Sequence, residues 1–206
     1  MKITFLIIVC LCISIAVDAQ IRFGAKASLG YTSLYQKVDG INVGDHKFGF
    51  DAGAMVEFPL SRRFGLQPEL LFANRGGKVY VAEIDRSHYT RLDYYSLVLP
   101  LHVKYLVVDK DATMFVTGGP YIACNLFGNI KNSFGKRDMT FGKSNEYDIH
   151  RFDFGISAGI GVEYKQCIFA VTMYGGLLDR LSDPNNNIPA AYQSSVQFSL
   201  GYFINK

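Results

Sequence analysis

Apolar and small-or-polar residues alternate with a period of two through most of this chain, and no other feature limits its fold as strongly. Phe152, Phe154, Ile156, Ala158, Ile160, Val162 and Tyr164 alternate with Asp153, Gly155, Ser157, Gly159, Gly161 and Glu163. The same pattern runs through Phe23 to Tyr31, Phe48 to Phe58 and Val196 to Ile204. Successive side chains of a β-strand point to opposite faces, so each stretch reads as a strand with one bulky apolar face. The other face holds glycine, serine and charge.

Eight such strands are expected: Ile21 to Tyr35, Lys47 to Pro59, Phe64 to Val81, Arg91 to Val108, Ala112 to Phe127, Ile149 to Tyr164, Cys167 to Leu177 and Ala191 to Ile204. In the fifth, Met114, Val116 and Ile122 compete with Phe115 and Tyr121 for the apolar face. Short links (Leu60 to Arg63, Asp109 to Asp111, Lys165 to Gln166) alternate with long ones (Gln36 to His46, Ala82 to Thr90, Gly128 to Asp148, Leu178 to Ala190). Short turns on one side and long loops on the other are the habit of membrane barrels, and place both termini on the periplasmic side. Aromatic residues recur at both strand ends. Phe23, Phe58, Phe64, Tyr105, Phe115, Tyr164, Phe169 and Tyr202 stand near the short turns, and Tyr31, Phe48, Phe72, Tyr94, Phe127, Phe152, Tyr174 and Tyr192 near the long links. Rings at both headgroup levels would form two girdles.

Lipid offers backbone groups no hydrogen-bond partner, so a sheet that spans it must close on itself. A water-soluble barrel with about eight strands turns its apolar face inward. Here the inward-fitting face is the small and charged one, which selects an all-β, eight-stranded antiparallel up-and-down transmembrane barrel. Residues 1–19 read as a cleavable signal peptide: Lys2, the apolar run Ile3 to Val17, then Val17-Asp18-Ala19 before Gln20. Residues 20–206 form one domain. The net charge of +3 is too small a bias to indicate nucleic acid. Cys124 and Cys167 remain after export, too few for a disulfide scaffold. About 3.3 Å per residue also sets them at opposite ends of their strands, too far apart to bridge.

The chain resembles the outer-membrane β-barrel family that includes PorT-like proteins. The resemblance lies in Phe64-Gly65-Leu66-Gln67-Pro68-Glu69-Leu70 leading to Arg75-Gly76-Gly77, and in Tyr95-Ser96-Leu97-Val98-Leu99-Pro100-Leu101 before Lys104-Tyr105. It continues in Gly118-Gly119-Pro120-Tyr121, Asp153-Phe154-Gly155, Gly159-Ile160-Gly161-Val162-Glu163-Tyr164 and Ser199-Leu200-Gly201-Tyr202. The family commonly ends on an aromatic residue soon after Gly-Tyr, whereas this chain continues through Ile204-Asn205-Lys206. The resemblance implies fold and location, with a role in secretion-machinery assembly as a further implication.

With the small face inward, Arg22, Lys26, Asp51, Glu57, Gln67, Glu69, His102, Lys104, Asp153 and Glu163 enter the lumen. An eight-stranded barrel is just wide enough for side chains to fill, so these groups are expected to pair as a plug. A narrow cation or proton path is the alternative. A lipid-modifying enzyme would need a nucleophile and base at the outer rim; His88, His150, Ser87, Ser144 and Ser182 stand near it without a recognisable spacing. The four histidines are scattered, no metal site is expected, and no motif calls for a cofactor. The long link Gly128 to Asp148 carries Lys131, Phe134, Lys136, Arg137, Phe141, Lys143 and Tyr147, a candidate contact surface. The expected partners are outer-membrane lipid and lipopolysaccharide, barrel-assembly machinery, and a surface or secretion-system protein.

Overall fold

In the computed structural model, residues 21–38, 41–80, 89–108, 112–132, 135–142, 148–181 and 190–205 are described. The proposed signal peptide and the turn Asp109 to Asp111 lie outside them, as do Ser87, His88, Ser144 and Ser182. The strands are β1 (Arg22–Val38), β2 (Ile41–Val43), β3 (His46–Pro59), β4 (Phe64–Tyr80), β5 (Tyr89–Val108), β6 (Ala112–Asn132), β7 (Gly135–Asp138), β8 (Phe152–Tyr164), β9 (Cys167–Gly176) and β10 (Ala191–Phe203).

Eight of these strands form one closed antiparallel ring in the order β1, β3, β4, β5, β6, β8, β9, β10. β1 closes it by pairing with β3 on one side and β10 on the other, the second ladder running from Gly24–Phe203 to Gln36–Ala191. Closure leaves no free edge in the ring, the condition a lipid-spanning sheet must meet. The short strands β2 and β7 lie outside the ring and extend β1 and β6 at the end where the long links gather.

Two described short links show why the chain turns where it does. In the first, the N–H groups of Leu60 and Ser61 both donate to the Phe64 carbonyl (2.9 and 3.0 Å), and Ser61 Oγ accepts from the Phe64 N–H at 3.1 Å. In the second, Lys165 takes φ 57° within a two-residue reversal, the left-handed backbone that matches hairpin twist. Glycine is needed where the ladder tightens: a Cβ on Gly53 would sit 1.9 Å from the Leu70 carbonyl oxygen, and Gly76 takes φ 131°.

Burial follows the alternation. Phe23, Leu29, Tyr31, Phe48, Leu99, Ile122, Ile156, Ile160, Phe169, Phe198 and Leu200 all stand on the outer wall, Leu29 at 57% exposure. A continuous apolar wall of this extent has no place in a water-soluble monomer. The interior holds Lys26, Asp51, Glu57, Glu69, His102, Lys104, Asp153 and Glu163, all buried.

The fifth strand expected from sequence, β6, resolves its two competing faces: Phe115 and Tyr121 point inward, and Met114, Val116 and Ile122 outward. Three rings assigned to the girdles therefore belong to the lumen instead, namely Phe115, Tyr94 and Tyr174. In β5 the outward ring is the neighbouring Tyr95, which stacks on Phe72 and Phe127 with centroids 5.5 and 4.9 Å apart. A second correction concerns the long link 128–148. Its first part continues β6 to Asn132 and returns as β7, so an ordered hairpin replaces the expected loop.

Candidate functional site

The ten polar residues that the alternation sends inward meet in layers. Nearest the short turns, Lys104 Nζ donates to Glu57 Oε2 (2.7 Å) and Glu163 Oε2 (2.8 Å). Arg22 bridges the same two carboxylates, 2.8 Å from Glu57 Oε1 and also bonded to Glu163 Oε1. Two cations and two anions cancel, and the rings of Phe115 and Phe203 flank them, the Lys104 ammonium lying 4.5 Å from the Phe115 centroid. Pairing of this kind offsets the cost of taking the charges out of water.

The next layer holds Lys26, whose Nζ donates to Glu69 Oε2 at 2.6 Å, and Gln67, whose amide donates to Glu69 Oε1 at 2.7 Å. His102 Nδ1 is 3.5 Å from the same carboxylate and its Nε2 is 2.8 Å from Ser157 Oγ. Serine, histidine and glutamate follow one another as in a nucleophilic relay, but the Ser157 hydroxyl donates to the Gly119 carbonyl at 3.2 Å and so does not give its proton to His102. The cavity beside them is about 10 Å³, room for one water and no substrate. Above them, Arg75 donates to Ser195 Oγ, lies 3.8 Å from Asp51 Oδ2 and stacks over the Tyr174 ring at 4.7 Å.

The last layer before the loop end is built on Asp153. Tyr121 Oη donates to Asp153 Oδ2 at 3.2 Å, and Arg180 Nη1 stands 3.6 Å from Oδ1. Arg180 is fully buried; it also donates to the carbonyls of Phe152 (2.9 Å) and His150 (3.3 Å). Tyr94 Oη donates to Gln193 Oε1 at 2.6 Å, and the Gln193 amide donates to Thr32 Oγ1 at 2.6 Å. A cavity of about 10 Å³ is lined by Arg75, Tyr94, Asp153 and Arg180.

An apolar lid covers this stack. Leu34, Val79, Leu92, Tyr94, Ile130, Met139, Phe141 and Ile149 pack as one buried cluster, with Leu181 against it. Isolated bridges from Phe141 to Ile149 and from Ile149 to Leu181 tie its strands across the mouth. Phe141, expected on a contact surface, is thus a core residue of the lid, buried in one cluster with Ile130, Met139 and Ile149, to the last of which its backbone is bridged. Lys131, Lys136 and Arg137 are exposed on β6 and β7, whereas Phe134, Lys143 and Tyr147 lie outside the described residues. Arg137 grips Asp148 with two bonds of 2.9 and 2.5 Å, and Thr140 donates to the same carboxylate through its N–H (2.8 Å) and hydroxyl (2.9 Å). Partial burial pushes the Asp148 carboxyl up, but these donors outweigh it and hold the group below the usual carboxylate range.

Sequence reasoning overlooked Arg75, Arg180, Tyr94, Tyr121 and Tyr174 as lumen groups. Arg75 and the tyrosines could have been found from strand parity, since each is an even number of residues from an inward partner: Arg75 from Leu71, Tyr94 from Ser96, Tyr121 from Ala123, and Tyr174 from Thr172. Arg180 lies in a long link and carries no periodic signal. Among the described residues no three His, Cys, Asp or Glu side chains gather as a metal site, and Cys124 and Cys167 are free.

A closed eight-stranded barrel with an apolar outer wall and a charged, filled lumen defines a class, and the family comparison agrees with it. The chain matches the family described as "Outer membrane protein beta-barrel domain" over residues 18–183. It belongs to that family, and its place is the bacterial outer membrane. No curated protein matches the sequence. Among solved structures, Neisserial surface protein A is similar at 10% identity over 87% of this chain and 96% of that one, with a TM-score of 0.50. OprG of Pseudomonas aeruginosa is similar at 11% identity over 89% and 96%, with a TM-score of 0.47. Ail, the attachment invasion locus protein of Yersinia pestis, is similar at 10% identity over 88% and 98%, with a TM-score of 0.41.

Proposed function

We propose that this chain is a sealed outer-membrane barrel that acts through the rim at its loop end, as a structural or interaction protein and not as a pore. The observation that supports this reading is the filled lumen. Neutral charge layers stack from Lys104 to Arg180, the cavities beside Glu69 and Asp153 are about 10 Å³ each, and an apolar cluster covers the mouth. A hydrated ion needs a continuous wet path, and the energy of pulling any one of these buried ion pairs apart opposes opening one.

In this reading residues 1–19 are a cleaved signal, both termini face the periplasm, and the hairpin of β6 and β7 faces outward. The short turns support that sidedness, as does the position of the lid at the end with the long links. No enzyme is proposed: the Ser157–His102–Glu69 relay is walled off from substrate. The PorT-like resemblance adds secretion-machinery assembly as the process such a rim would serve, with a surface or secretion-system protein as its partner.

Planar-bilayer recordings of the refolded barrel test the sealed lumen. Flat traces at the leak level are expected across either polarity, even at molar salt. Reproducible unitary steps would overturn the reading and make the chain a narrow channel.

A further inference from the structure

The registers of four neighbouring strands, read together, place four cations in one row. Lys78 of β4 is paired with Arg91 of β5, Arg91 with Lys131 of β6, and Lys131 with Lys136 of β7. Directly paired residues of a sheet share a face, and these share the outer one, because their neighbours Val79, Leu92 and Ile130 point into the lid. At about 4.8 Å per strand the row is about 14 Å long.

Like charges directly opposite across a ladder repel, so the row stands only where anions answer it. Asp45 continues the row on its far side and holds Lys78 at 2.5 Å. Asp93 is 3.9 Å from Arg91, but it is shared with Lys47 (2.8 Å) and Asn74 (2.8 Å). Asp138 stands in the adjacent row, paired with Asn129. Among the described residues neither Lys131 nor Lys136 has an ion-pair partner, and both are exposed.

The height of the row selects the missing anion. Tyr95, stacked between Phe72 and Phe127, marks the aromatic girdle on the same face. Arg91 lies four residues beyond it, about 13 Å along the strand and about 9 Å along the membrane normal at a tilt of about 45°. Rings of a girdle sit at the headgroup boundary, so the cations reach the layer in which lipid phosphates lie. We infer that Lys78, Arg91, Lys131 and Lys136 form a binding stripe for the phosphates of an outer-leaflet lipid. This rests on the proposed sidedness. The stripe would fix the barrel to phosphorylated lipid on one flank and hold the β6–β7 hairpin upright above the membrane.

The test titrates the folded mature chain in neutral detergent with diphosphorylated lipid A and, separately, with the same lipid stripped of its phosphates, following bound lipid by native mass spectrometry. Each surface cation contributes on the order of 1 kcal/mol toward an anionic headgroup, about a fivefold change. The double variant Lys131→Gln/Lys136→Gln is therefore expected to bind the phosphorylated lipid at least about tenfold more weakly. Lys165→Gln, at the opposite end, should bind as the parent does. Added salt should weaken the parent more than the double variant. Equal binding of the two lipids, or no loss in the double variant while a gel-shift assay shows the barrel folded, would overturn the stripe.

Sidedness is judged apart. Lys136→Cys in a Cys124→Ser/Cys167→Ser background should react with a membrane-impermeant maleimide on intact cells. Reaction only after lysis would overturn the sidedness, and with it the outer-leaflet placement, whatever the titration gives.

Discussion

Replacing Lys104 with alanine is expected to lower the stability of the folded barrel by about 3–5 kcal/mol, the usual consequence of stripping the counter-ion from buried charge. The ammonium is the shared donor between Glu57 and Glu163, at 2.7 and 2.8 Å, and is fully buried. Without it, two carboxylates face Arg22 alone. Urea titration of the refolded protein in lipid vesicles, read by gel mobility, measures the loss. The companion variant Lys104→Met/Glu163→Gln separates charge from packing: one cation and one anion remain, so more than half of the lost stability should return. If the double variant is as weak as Lys104→Ala, the layer is held by side-chain fit and not by charge balance.

Arginine at Ala158 is expected to cost about 2–4 kcal/mol, because a guanidinium at the bilayer midplane has neither water nor partner. Ala158 lies on the outer face of β8, midway between the rings of Phe152 and Tyr164. The same change at Tyr164 places the charge at headgroup depth, where about 0–1 kcal/mol is expected. Urea midpoints in vesicles compare the two. A barrel surrounded by water would show no depth dependence, so equal costs would count against the membrane-facing wall.

Strand parity carried most of what the sequence disclosed. A period of two fixes which residues share a face, and closure then follows from the chemistry of lipid, so the ring and its ten inward polar residues were legible without coordinates. The pattern was least informative where both faces are bulky. In β6, Phe115 and Tyr121 compete with Met114, Val116 and Ile122, and an aromatic count near the strand ends assigned Phe115 to the wrong face. Tyr94 and Tyr174 were misplaced for a related reason: a tyrosine suits a girdle or a hydrogen-bonded interior equally well, and Tyr94 uses its hydroxyl on Gln193.

The mouth of the barrel was hidden for a different reason. Arg180 and Phe141 sit in long links with no repeat to read, and their burial depends on bridges between distant segments, Phe141 to Ile149 and Ile149 to Leu181. The row from Lys78 to Lys136 was hidden as well, since its members are scattered over 59 positions of sequence and meet only through three successive strand registers.

The chain contains no tryptophan, so a single introduced indole reports on one position. Lipids brominated along their acyl chains quench indoles that touch them, which makes a pair of variants a direct reading of which face meets lipid. Tryptophan at Ile160, 55% exposed on the outer wall, should be quenched strongly in such vesicles, and tryptophan at Tyr174, 3% exposed in the lumen, should keep its emission. Quenching at position 174 with none at 160 would mean that the charged face lies outside, and the sealed outer-membrane barrel described above would be inside out.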